Sequence, residues 1–223
     1  MGETISITSS DGFEFDAYKA LPSGDAKGGV VVIQEIFGVN PHIREVADGY
    51  AKQGYAAIAP AIFDRVEKGV ELGYDDDGMQ RGIEIAFNGL EMSNTLQDLA
   101  ASAAALQPYG KVGAVGYCFG GLLAYLSACQ LDNLACSVGY YGGGIVNALD
   151  QEPKVPLMLH FGELDAHIPL DEVEKIKAAK PNVPVHVYDG ADHGFNCSHR
   201  PSYNAEAAAL ALKRTLAFFA EHL

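Results

Sequence analysis

Residues able to do covalent chemistry stand at three corners of this chain. The first is Cys118, within the run Gly116-Tyr117-Cys118-Phe119-Gly120-Gly121. The second is Asp165, in HFGELDAHIP (160–169), and the third is His193, in DGADHGF (189–195). A thiol at a strand-to-helix bend with glycines on both sides has the spacing of a nucleophile elbow, with cysteine in the usual serine position. The glycines are needed because so tight a turn leaves no room for Cβ atoms against neighbouring backbone. A helix starting just after Cys118 aims its free N–H groups and positive dipole end at the sulfur, which favours the thiolate. The amide of Phe119 is then placed to hold a developing oxyanion. A thiol beside a histidine that is itself held by a carboxylate is a working nucleophile for acyl transfer.

Other residues of the same types have plainer readings. Cys129 and Cys136 read as small buried hydrophobes. His160 and His186 lie within apolar strands and read as packing residues, whereas His42, His167 and His222 read as surface residues. Glu163, Asp189 and Asp192 compete with Asp165 for the role of the acid. Asp165 is preferred because it lies in the loop after the strand that precedes the histidine's own strand. No pair of histidines shares a ligand spacing with a nearby carboxylate, so no metal is expected.

The elements that must position these residues alternate along the chain. TISIT and FEFDAY, joined through Ser10-Asp11-Gly12, predict an N-terminal hairpin. GGVVVIQEIFG is a continuous apolar run, the mark of a strand covered on both faces. A helix near 41–53 and the strand YAAIAP follow. The acidic stretch through Tyr74-Asp75-Asp76-Asp77-Gly78 predicts an irregular loop, and the pattern over 80–107 one long helical region. Then come the strand KVGAVGY, a helix over 119–130, the strands LACSVGYY and VPLMLHFG, a helix over 170–180, the strand VPVHVYDG and a helix from about 203 to 222. Apolar strands alternating with helices imply a mostly parallel central sheet with helices on both faces. With no linker, repeat or low-complexity segment, residues 1–223 are expected to form a single α/β domain. In such sheets ligands bind at the carboxyl ends of the strands, where Cys118, Asp165 and His193 all fall.

Composition narrows the partners. The chain has 223 residues, 48% hydrophobic and 20% charged, long enough to bury a substantial core. A net charge of −14 and a pI of about 4.7 argue against nucleic acid and anionic membrane surfaces. An anionic substrate would therefore need a local basic clamp. The first residues, MGETISITSSDG, have neither the basic region nor the apolar core of a signal peptide. Gly2 and Ser6 match a myristoylation pattern, but no basic patch accompanies them. No run approaches the roughly 18 apolar residues of a spanning helix. The four cysteines (Cys118, Cys129, Cys136, Cys197) lack metal-ligand spacing and disulfide density, which implies a reducing, cytoplasmic setting.

The order nucleophile, acid, histidine is that of the α/β-hydrolases. Along essentially its whole length the chain resembles the dienelactone hydrolases (carboxymethylenebutenolidases) of that fold. The resemblance is carried by QEIFGVNPHIREVAD, GYCFGG, GYYG, the GELD loop, DHGF and the terminal AAALALKRTLAFF. It implies a triad of Cys118, Asp165 and His193, an oxyanion hole from the amides of Phe119 and Ile36, and no cofactor. It also implies that Glu35 lies beside the resting thiol and that substrate binding rearranges the pair. A carboxylate in so apolar a strand is costly to bury, which marks Glu35 independently. The substrate implied is a small lactone or ester bearing a carboxylate, with Arg81 and Arg200 as its clamp. Four residues after His193, where an arginine can stand in this family, the chain has Cys197 instead. With no tryptophan in the chain, an aromatic wall falls to Phe37, Tyr141 or their neighbours. Oligomeric state is not expressed in any of these features. A broader carboxylesterase or thioesterase, or a non-catalytic thiol-based binding or redox-sensing protein, would share much of this pattern.

Overall fold

A computed structural model describes residues 2–223. Its centre is one eight-stranded sheet in the order β1-β2-β4-β3-β5-β6-β7-β8. The strands are β1 (Glu3–Thr8), β2 (Glu14–Ala20), β3 (Gly29–Ile33), β4 (Ala56–Pro60), β5 (Val112–Tyr117), β6 (Cys136–Tyr140), β7 (Leu157–Gly162) and β8 (Val185–Tyr188). Only the β1–β2 and β2–β4 pairings are antiparallel; from β4 to β8 every pair is parallel. The hairpin turns where expected, with the Ser9 amide donating to the Phe13 carbonyl at 2.8 Å. Strands β3, β4, β5, β6 and β7 are buried at every position, as continuous apolar runs require.

Six helices accompany the sheet: α1 (Pro41–Lys52), α2 (Asp76–Glu84), α3 (Met92–Leu106), α4 (Phe119–Gln130), α5 (Leu170–Ala179) and α6 (Ala205–His222). Alternation along β5 shows how they divide. A Cβ on Gly113 would meet Phe219 of α6, whereas one on Gly116 would meet Gly120 of α4, on the opposite face. Gly29, in register with Val112, looks at Leu106 of α3, which puts α3 on the α4 side. Tyr50 of α1 meets Phe219 of α6, with ring centroids 5.9 Å apart, so these two helices share the other side.

Two expectations need correcting. The acidic loop ends early, because Asp75 caps a helix by accepting the Gly78 amide at 2.7 Å, and Asp76 and Asp77 favour its positive end. The long helical region over 80–107 is two helices. A π-helical turn over Ile85–Gly89 is followed by extended backbone at Leu90, after the weak helix formers Asn88 and Gly89. In α3 the buried set Leu96, Leu99, Ala103 and Leu106 has helical spacing toward the sheet. Its buried Asp98 is held by a two-pronged ion pair from Arg65, at 2.6 and 2.8 Å. No helix among the described residues is long and apolar enough to cross a membrane.

Candidate active site

Six parallel strands end on one side of the sheet, and the singled-out residues follow five of them. Glu35 comes two residues after β3, Cys118 directly after β5 and Tyr141 directly after β6. Asp165 and His193 lie in the loops after β7 and β8. Cys118 has φ 55° and ψ −116°, a conformation that few non-glycine residues hold. Neighbouring backbone fixes it: its amide donates to Tyr140 at 3.0 Å, and its carbonyl accepts from Gly121 at 2.8 Å. The space is made by glycine, since a Cβ on Gly116 would lie 1.8 Å from the Gly120 carbonyl oxygen. Phe119 is the first residue of α4, so its N–H has no intrahelical acceptor. Ile36 stands on the neighbouring strand end, beneath Gly82 of α2.

Geometry separates the competing carboxylates. Asp165 Oδ2 lies 2.7 Å from His193 Nδ1, while Oδ1 accepts the amides of His167 (2.9 Å) and Ile168 (3.2 Å). Asp192 instead accepts the backbone N–H of His193 at 2.6 Å, and Glu163 accepts the Gly190 amide at 2.8 Å. Burial opposes charge on His193, but the Asp165 hydrogen bond and the adjacent Cys118 outweigh it and push the imidazole up to about 10. The ring is walled by Tyr141, at 5.1 Å between centroids, and by His167, at 5.2 Å. Tyr141 is itself unusual, with φ 36° and a buried hydroxyl that has no hydrogen-bond partner.

Glu35 is fully buried and pushed above the usual carboxylate range by that burial, against the pull of Arg200 and Tyr74. Tyr74 donates to its Oε2 at 2.9 Å, and Arg200 Nη1 stands 3.6 Å from its Oε1. Asn40, the residue capping α1, donates to the Tyr74 hydroxyl at 3.2 Å. In this conformation Glu35 therefore engages Tyr74 and Arg200, while the thiol acts on His193. Arg200 stands over the rings of Phe37 and Tyr74, and Gly194, at φ 78°, leaves room for it where a Cβ would meet its guanidinium at 2.7 Å.

Arg81 is placed differently. Its guanidinium is half-exposed between Glu67 (2.6 Å) and Glu84 (2.7 Å), so both terminal nitrogens already have acidic partners. A further correction concerns His42, which is 3% exposed rather than on the surface, with burial pushing it down to about 4. His160 is buried as expected, bonded to Tyr188 and Thr215. Two aromatic residues at the site escaped the sequence reading. Tyr74 edges onto Phe37, with centroids 4.5 Å apart, and exposed Phe87 of the π turn edges onto Phe119 at 5.5 Å. For Tyr74 the signal was its place in an acidic segment; for Phe87 there was none, because the helix break that aims it was not legible.

A profile of the dienelactone hydrolase family matches residues 15–223. The chain belongs to that family. It is 38% identical to a carboxymethylenebutenolidase of Pseudomonas putida, over 98% of this chain and 96% of that one. Carboxymethylenebutenolidase 1 of Cupriavidus pinatubonensis is 31% identical over 99% and 97%. A crystal structure from Klebsiella pneumoniae, provisionally named a dienelactone hydrolase, superposes with a TM-score of 0.83 at 31% identity, covering 98% of this chain and 99% of that one.

Proposed function

We propose that this protein hydrolyses a small lactone or ester through a thioester on Cys118, with dienelactone to maleylacetate, a step of ortho-cleavage catabolism of (chloro)aromatics, as its reaction. The observation that carries the reading is the Asp165–His193 pair at 2.7 Å, acting on a cysteine in a strained elbow. The Cys118 thiolate, its proton passed to Glu35 and its charge balanced by the His193 imidazolium, forms a bond to the ester carbonyl carbon. The negative oxygen of the tetrahedral intermediate is held by the amides of Phe119 and Ile36. Collapse breaks the C–O bond of the ester, and His193 returns its proton to the leaving oxygen, which in a lactone stays tethered. Water, deprotonated by His193, then attacks the thioester and releases the acid and the thiol.

Glu35 has the role of a charge gate in this reading. An incoming substrate carboxylate competes for Arg200, freeing Glu35 to turn toward Cys118 and take its proton, so that reactivity follows binding. Phe37 and Tyr141 form the apolar wall of the substrate pocket. A broader carboxylesterase or thioesterase is the second reading, favoured by one observation: Arg81 is neutralised by Glu67 and Glu84, which leaves Arg200 as the main anion contact.

The test is kcat/KM for cis- and trans-dienelactone against a neutral lactone and a chromogenic acetate, in wild type and Cys118→Ala. Dienelactone should be preferred, and the alanine variant should lose about three orders of magnitude or more in kcat. Near-normal turnover by Cys118→Ala would sink the thioester route. No turnover of any ester by wild type would favour a binding or redox-sensing protein.

A further inference from the structure

Histidine spacing along the chain shows no metal site, yet folding brings two histidines and a glutamate together beside the candidate active site. His42 and Glu45 stand three residues apart on α1 and so share a face of that helix. His199 arrives from the loop after β8. One ligand atom from each lies within 4.8 Å of the other two. His199 Nε2 is 2.8 Å from Glu45 Oε2, and the rings of His42 and His199 are 5.6 Å apart. A separate observation points the same way. His42 is 3% exposed and its Nε2 has no hydrogen-bond partner, an arrangement that proteins rarely leave without a use.

We propose that His42, Glu45 and His199 bind a divalent transition-metal ion of the zinc type. Two imidazoles and one carboxylate are the borderline donors that such an ion takes, and three protein ligands leave a further position open to water or a small anion. The net charge of −14 favours cation capture over the surface as a whole. His42 also lies within 4.8 Å of the buried pair Glu35 and Cys197. That inner set is the poorer host, because the Arg200 guanidinium stands 3.6 Å from Glu35 and would repel a second cation. The outer set opens to solvent through exposed Glu45 and His199. An ion there would tie α1 to the segment Cys197–Arg200, and so steady the approach of Arg200 to Glu35 without touching the reacting atoms. The site stands whether or not the proposed reaction does.

The experiment is calorimetric titration of Zn²⁺ into the metal-free full chain carrying Cys118→Ala, which removes the reactive thiol as a rival ligand. Glu45→Gln and His199→Ala are compared in the same background, since both change exposed side chains and should leave the fold intact by circular dichroism. One ion per chain at micromolar affinity is expected, weakened by at least about tenfold in each variant, a loss that even outer partners of a metal ligand cause. Co²⁺ in place of Zn²⁺ should give ligand-field bands without a thiolate charge-transfer band. Binding only in the millimolar range, equal affinity in His199→Ala, or a strong charge-transfer band from Cys197 would each overturn the site.

Discussion

In the proposed reaction Asp165 acts through the division of its two oxygens, one on the amides of His167 and Ile168 and the other on His193. Asp165→Asn can keep the amide contacts, but its NH2 would face Nδ1 and force the wrong imidazole tautomer. We expect kcat to fall by about three to four orders of magnitude, while Asp192→Asn costs on the order of tenfold or less. Steady-state kinetics on any turned-over ester decides this, and a reversed order would move the acid to Asp192. The two arginines are separable in the same way. Arg200, largely buried over Phe37 and Tyr74, should lose roughly tenfold or more in kcat/KM for an anionic lactone on change to alanine, and little for a neutral ester. Arg81→Ala removes only exposed ion pairs and should affect both substrates alike, by a small factor. Equal losses on both substrates in Arg200→Ala would leave no anion clamp.

At the scale of elements, the β5–α4 corner is the most tightly built part of the site. A Cβ on Gly116 would lie 1.8 Å from the Gly120 carbonyl oxygen and 2.3 Å from its carbon, both backbone atoms that cannot move without shifting α4. Gly116→Ala should therefore destabilise the fold by about 3 kcal/mol or more, the range of severe overpacking. Urea unfolding measures it; a loss under about 1 kcal/mol would mean that the corner can relax. The same corner shows why a cysteine and its glycines are so readable. The strand, the bend and the helix all lie within Lys111–Gln130, so local sequence specifies them almost alone. The α2–α3 region went the other way. Its periodicity continues through Gly89, and only packing decided where the helix would break.

Across the whole molecule, two histidines pull stability in opposite directions with pH. His42 is held down to about 4 in the fold against about 6.5 unfolded, so its contribution is complete above about 6.5 and is lost as pH falls toward 4. His193 is raised to about 10, so its contribution is complete below about 6.5 and is lost as pH rises through 10. Of these two groups, therefore, the joint maximum lies near pH 6.5, and His193→Gln should flatten the alkaline limb while leaving the acid limb in place. Urea unfolding from pH 4 to 10, run in chelator to keep His42 free of metal, tests this. An unchanged alkaline limb in the variant would mean that the imidazolium is not stabilised by the fold.

What the amino-acid sequence determined by itself is the part that local physics governs. Continuous apolar runs specified buried parallel strands, Asp11-Gly12 set the hairpin, and glycines around Cys118 marked the elbow. The order of Cys118, Asp165 and His193 placed all three at strand ends, because each lies in the loop or turn directly after its strand. The tertiary structure alone decided which groups meet across long stretches of chain. It brought Tyr74 to Glu35, lowered Arg200 over Phe37, left Arg81 between Glu67 and Glu84, and buried His42 within reach of His199. Apart from the local Arg81–Glu84 pair, these contacts join residues 14 to 163 positions apart, with no periodicity to announce them. Their energies come from burial and electrostatics between elements, which exist only once the sheet has assembled.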